Sequence, residues 1–340
     1  MSALLAGALV VVLAFAVALG VTARLLRPGS RWSVLDLPND RSLHEQPTPR
    51  GGGLGIMSGL VAAIALQAWL LEVPTTLAAA LGATAVVGIV SFVDDRGHVP
   101  AAARLLVQTV AAAIALRMGE LVPSTLALPG VTLSLGVVAG AALALLYLVW
   151  MTNLYNFMDG MDGFAGGMTV AGFATLGALG LAAGQVPFAV VALAVAAAAA
   201  GFLVFNVPPA RIFMGDVGSS ALGILAGVMT LWAARDGIAP LWVGVLVFSP
   251  FVVDATVTLI ARALAGERVW EAHRTHCYQR LVRAGWGHRR TVRVEWMLMA
   301  ACAVSAVLAT RLSATGQAVL LVAWAIAYTG AVFAVRRLAR

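Results

Sequence analysis

The sequence contains no lysine; all 22 of its basic residues are arginine. Arginine-only usage beside very high alanine and glycine is what a GC-rich genome produces. Neither it nor the net charge of +7 argues for a nucleic-acid partner. Charge of either sign is scarce, at 11% of residues, where a soluble domain averages about 25%. The two cysteines, Cys277 and Cys302, have no spacing that suggests a disulfide frame or a zinc site. The first apolar run lacks a basic flank and an A-x-A stop, so it is expected to be a retained helix rather than a cleaved signal. No alternation of β-barrel type and no internal repeat is evident, and the second absence weakens an inverted-repeat transporter.

What remains is apolar: 61% of 340 residues are hydrophobic, with mean hydropathy +0.95. A spanning helix needs about 20 such residues. Runs of this length fall near 3–26, 52–71, 75–93, 100–118, 132–152, 164–184, 187–205, 219–234, 238–261, 292–311 and 315–335. The expected fold is an all-α polytopic membrane protein of about eleven spans, forming one unit over 1–340. With the N-terminus outside, 19 arginines fall on the cytoplasmic side and only Arg117, Arg235 and Arg311 stay outside. That is a strong positive-inside signal, and it puts the C-terminus in the cytoplasm.

Five polar blocks interrupt the apolar runs: 36–53, 91–100, 153–163, 206–220 and 262–290. They hold all five histidines and seven of nine aspartates, and the same topology puts every block on the cytoplasmic face. Polar groups are costly in lipid, so their gathering on one face suggests a site.

Each block has its own chemistry. Asp94 and Asp95 end the third span; adjacent carboxylates repel unless a cation or cationic group is near, and Arg96 is the mundane partner. Asp159 and Asp162, three apart, fall on one face if helical, and Gly160 lets a ligand approach the backbone. Asn153 and Asn156 add amide oxygens. Hard oxygen donors of this kind suit Mg²⁺ held together with substrate phosphate. Asp216 stands where a helix begins, either as its N-cap or sharing a metal with a phosphate bound at the helix start. His273, Arg274 and His276 form a basic loop able to bind phosphate, beside Arg268, Arg280 and Arg283. In 36–53 the prolines and glycines exclude a regular helix and specify a shaped loop, where Arg41, His44 and Arg50 can face an anion. His98 and His288 read as loop residues without a role. Asp254 lies about two turns inside the ninth span, as a functional carboxylate or as a partner of Arg262.

In order, DLPNDRSLHEQPTPRGGG, FVDD, NLYNFMDGMDG, RIFMGDVGSS and HRTH match the motifs of the polyprenyl-phosphate N-acetylhexosamine-1-phosphate transferases. The chain resembles this family over 36 to about 283. The resemblance implies transfer of a sugar-1-phosphate from a UDP-N-acetylhexosamine to undecaprenyl phosphate, a membrane lipid, with release of UMP at the inner membrane. It implies Mg²⁺ (or Mn²⁺) held by Asp216 with Asn156 assisting, and Asp94 and Asp95 engaging the lipid phosphate. Asp159, Gly160 and Asp162 match the loop near the nucleotide, Phe213 a position that packs on uracil, and His273, Arg274 and His276 the loop holding the diphosphate. A homodimer is a further expectation. The chain has Arg41-Ser42-Leu43-His44 where many members have Arg-Lys-x-His, so no lysine role carries over. The form of the first block is most similar to the O-antigen initiating branch; the phospho-MurNAc-pentapeptide branch, and transport of a phosphorylated solute, are the alternatives.

Overall fold

The structure, a computed structural model, describes residues 2–338 except 28, 31, 33, 39–42, 44, 45, 72, 73, 98 and 270–272. The expectations for Arg41, His44 and His98 therefore lie outside the described residues.

The chain is helical almost throughout. Its helices are α1 (Ala3–Leu25), α2 (Gly52–Leu70), α3 (Thr75–Asp94), α4 (Ala101–Met118), α5 (Gly136–Phe157), α6 (Phe164–Ala182), α7 (Val186–Asn206) and α8 (Asp216–Arg235). They continue as α9 (Leu241–Val247), α10 (Ser249–Leu264), α11 (Cys277–Leu281), α12 (Gly287–Ala309) and α13 (Ala314–Leu338). Proline sets several starts: Pro74, Pro100 and Pro240 are the residues before α3, α4 and α9. The ring cannot extend a helix from its interior but fits its first turn.

Among the described residues ten helices are long and apolar enough to cross a membrane, or eleven if α9 and α10 form one span. The protein is thus a multi-pass membrane protein of the expected all-α class. One expectation is corrected. The ninth span was read as continuous over 238–261, but α9 and α10 meet at 84° around Phe248. Pro250 in the first turn of α10 explains the break, because its missing N–H and fixed φ favour a new helix there.

The centre is α8. Every residue from Val217 to Ala233 is buried, and α3 and α5 pack along it. At the other extreme, Val335 is the sole buried residue described in α13. The block 36–53 is not only a shaped loop. Its ends pair as an antiparallel hairpin, β1 (Val34–Asp36) with β2 (Thr48–Arg50), in the register Val34↔Arg50. A second hairpin, β3 (Thr125–Leu128) with β4 (Val131–Ser134), joins α4 to α5 at the far end of the bundle.

Candidate active site

The site forms around the start of α8. Gly215 precedes it at φ +77°, in the left-handed region that glycine enters without steric cost. Backbone bonds stitch the first polar block to this turn. Phe213 N–H donates to Pro49 O (2.9 Å), Gly52 N–H to Phe213 O (2.9 Å) and Gly53 N–H to Met214 O (2.8 Å). Glycine is required at the contact: a Cβ on Gly53 would meet the backbone of Gly218, and one on Gly218 would lie 2.8 Å from Gly53 Cα.

The carboxylate pair at the end of α3 divides its work. Asp95 Oδ1 accepts from Asp216 N–H (3.3 Å) and Oδ2 from Val217 N–H (3.2 Å). Asp95 therefore caps α8 from another element, satisfying helix-start N–H groups that have no partner inside α8. Arg50 donates to the Asp95 carbonyl (2.6 Å) and lies 3.6 Å from its carboxylate. Burial, then the neighbouring charge of Asp216, pushes the Asp95 carboxyl up to about 6 despite Arg50 and the capping bonds. Asp94 accepts from Val99 N–H (2.9 Å) and pairs with Arg104, which lies 3.7 Å from Asp216.

The 159–163 loop closes the opposite wall. Burial, then Asp216 and Asp95, raises Asp159 well above the ordinary carboxylate range. Asp162 accepts from Ala210 N–H (2.9 Å), and its other oxygen is 3.0 Å from His288 Nδ1. Gly163 N–H donates to Asn206 Oδ1 (2.9 Å), and Asn206 Nδ2 to Ile212 O (2.8 Å). Asn156 donates to Ser219 Oγ (3.1 Å), in the first turn of α8 that begins with Asp216.

The result is a pocket of about 320 Å³ lined by Asp36, Leu43, Arg50, Asp159, Gly160, Met161, Asp162, Asn206, Phe213, Gly215, Asp216, Gln279 and His288. Residues from four of the five polar blocks thus line one cleft, and the remaining block, 91–100, supplies Asp95 directly behind the α8 start. The other expected residues stand back from it. Asn153 donates to Gln108 Oε1 and Val149 O (2.8 Å each), tying α5 to α4. His276 is buried, stacked on Phe157 and Tyr278, and 3.4 Å from Asp254. His273 bonds Thr275 Oγ1 (2.9 Å); burial, then His276 and Arg262, pushes its imidazole down to about 4. Neither histidine nor Arg274 lines the pocket; from that loop Gln279 does. Asp254 accepts from Cys277 N–H (2.8 Å), Tyr278 N–H (3.1 Å) and Thr258 Oγ1 (3.1 Å), so it anchors α11. Its suggested partner Arg262 donates instead to Glu267 Oε2 (2.6 Å).

Arg104, Asn206, Gln279 and His288 were not singled out from sequence. Arg104 carried a signal: a cation in the first turn of a helix opposes the helix dipole and asks for a nearby anion.

Among the described residues no three His, Cys, Asp or Glu side chains converge as a closed metal cage. The oxygen-rich cluster of Asp216, Asp159 and Asn156 fits a hard cation that draws its remaining ligands from phosphate and water.

Residues 77–234 match glycosyl transferase family 4. A probable undecaprenyl-phosphate N-acetylglucosaminyl 1-phosphate transferase of Bacillus subtilis is 29% identical over 84% of this chain and 80% of its own length. A decaprenyl-phosphate N-acetylglucosaminephosphotransferase of Mycolicibacterium smegmatis is 33% identical over 78% and 73%. A phospho-N-acetylmuramoyl-pentapeptide-transferase of Enterococcus hirae is 29% identical over 74% and 80%. The chain belongs to glycosyl transferase family 4.

Proposed function

We propose that the protein transfers an N-acetylhexosamine-1-phosphate from a UDP-sugar to a polyprenyl phosphate such as undecaprenyl phosphate. UMP leaves, and a lipid-linked cell-surface glycan is begun. The observation that carries this reading is the convergence of four polar blocks on one acid-rich cleft at a single end of a membrane bundle, with Asp95 of the remaining block capping the helix that carries Asp216. The printed names of the similar proteins support the same class of reaction. The arginine asymmetry supports a cytoplasmic cleft, on the side where nucleotide sugars are found.

Asp216, with Asn156, would hold Mg²⁺ or Mn²⁺. When bound, the ion neutralises charge on the diphosphate and the leaving UMP. Arg50 adds positive charge to the pocket wall, and Arg104 supplies a second guanidinium beside Asp216. Asp159, which lines the pocket and in its ionised form is a proton acceptor, takes the proton of the acceptor phosphate. An oxygen of that phosphate attacks the β-phosphorus, and the bond from this phosphorus to the bridging oxygen breaks. The bridging oxygen leaves with UMP. Asp95 acts from behind by fixing the α8 start and with it Asp216. Positioning and electrostatics supply most of the acceleration, as in other phosphoryl transfers.

The purified protein is tested with polyprenyl phosphate and a panel of UDP-sugars. The panel includes UDP-GlcNAc, the N-acetylated 6-deoxyhexosamine donors of the O-antigen branch, and UDP-MurNAc-pentapeptide. UMP release that requires both lipid phosphate and a divalent ion supports the reading, and release from none of the donors overturns it. The rival transporter needs a polar path through the bilayer, but Asp254, deep in the bundle, is committed to anchoring α11.

A further inference from the structure

His288 is the second residue of α12 and takes no part in the reaction as derived above. Its ring joins separate walls of the pocket. Nδ1 lies 3.0 Å from Asp162 Oδ1 in the 159–163 loop. Nε2 lies 3.3 Å from the Leu43 carbonyl in the first polar block. The other Asp162 oxygen accepts from Ala210 N–H at 2.9 Å. One imidazole and one carboxylate thus connect four chain segments far apart in sequence, at 43, 162, 210 and 288.

The backbone before His288 is shaped for this approach. The π-helical turn Val282–Trp286 interrupts the helix, with Gly285 at φ +92° inside it and Gly287 at φ +65° directly after it. Single π turns of this kind are frequent at functional sites. His288 is aimed by this break rather than by continuous helical phase.

The clasp also has a definite place along the cleft. Asp159 lies beside Gly215 and Asp216, whereas Asp162 lies beside Ala210. The two segments run alongside each other, so the cleft has an acidic end at 159/216 and a clasped end at 162/210/288. A donor whose diphosphate lies at the acidic end has its nucleoside at the clasped end of the same cleft, which Phe213 also lines.

We infer that His288 is a positioning residue that holds the nucleoside end of the donor pocket closed by fastening the 159–163 loop to the first polar block. This rests on reading the cleft as the UDP-sugar site. The test measures purified wild-type protein, His288→Ala, His288→Gln, Asp162→Asn and the Ala/Asn double variant. Donor KM, acceptor KM and kcat are determined, together with UMP affinity by calorimetry. His288→Ala is expected to raise donor KM and UMP Kd about tenfold while kcat and acceptor KM stay within about twofold, the signature of lost binding that is uniform between ground and transition states. The amide of His288→Gln, still able to donate, restores donor KM to within about threefold of wild type. In the Asp162→Asn background His288→Ala adds little, since the two act as one unit.

An unchanged donor KM in His288→Ala overturns the clasp. So do equal losses in all three kinetic constants, or fully additive effects in the double variant. A wild-type protein that neither releases nor binds UMP overturns the donor reading itself, a result distinct from an active enzyme indifferent to residue 288.

Discussion

Two aspartates do the same local job in different regions and to different ends. Asp95 reaches from the end of α3 to the first N–H groups of α8, and Asp254 reaches from α10 to the first N–H groups of α11. Each satisfies helix-start donors that have no partner in their own helix. Asp95 caps a long central helix whose first residue, Asp216, faces the pocket, and it shares that space with other acids. Asp254 caps a five-residue helix beneath His276 and receives a further bond from Thr258. The lesson is that a buried carboxylate acquires its role from what lies next to the capped residue, not from the capping geometry.

The largest effect separating the regions belongs to the acid that Asp95 positions. Asp216→Asn lowers the transfer rate by about 10²–10³-fold or more, the scale of losing a preorganised electrostatic contact, while the melting temperature barely moves; rate assays beside thermal unfolding check this. Asp95→Asn keeps the shape but weakens acceptance at the α8 start. It costs up to about 10²-fold in rate through misplacement of Asp216. Asp254→Asn inverts the pattern. It costs about 1–3 kcal/mol of stability by leaving buried N–H groups poorly paired, while kcat per folded molecule changes little. If Asp254→Asn instead abolished turnover in fully folded protein, the comparison would break.

The two regions also respond to pH with opposite sign. The folded Asp95 carboxyl titrates near 6, against 3.8 when unperturbed. The folded state thus holds the extra proton between these values, and this group's contribution to stability falls as pH rises from about 4 to 6. His273 titrates near 4, against 6.5 when unperturbed. Here the unfolded state holds the extra proton, and the contribution rises with pH from about 4 to 6.5. In metal-free protein Asp95→Asn should therefore steepen the gain in melting temperature between pH 4 and 6, and His273→Gln should flatten it. The smallest effect is expected at the neighbouring rim: Glu267→Gln, which removes the charge of the exposed member of the Arg262 pair but keeps an acceptor oxygen for the guanidinium, should change stability by less than about 1 kcal/mol.

Much of this was legible in the sequence, because lipid leaves few choices. Spans had to be apolar helices, and five polar blocks could not be scattered through them. Asp159, Asp162, Phe213 and Asp216 all line the pocket, as their order in the chain suggested. The tertiary partners were not legible. That Asp95 caps α8 depends on how α3 packs against it. His288 looked idle because both of its partners, Asp162 and the Leu43 carbonyl, are remote in sequence. The bend at Phe248 was hidden in an unbroken apolar run, and Pro250 was the single clue. His273 and His276, grouped by chemistry with the phosphate binders, pack instead around the α11 anchor, a neighbourhood fixed by Asp254 from another helix.

The glycine contact at the head of α8 carries a mechanical consequence. Where Gly53 touches Gly218, α2 and α8 meet backbone to backbone with no side chain between to act as a bearing. The adjoining Gly52 and Gly53 hydrogen bonds lock the same joint. Arg50 and Asp216, one on each side of this joint, are therefore spaced by backbone alone, so the separation of the chain positions that bear guanidinium and carboxylate is set without any rotamer in between.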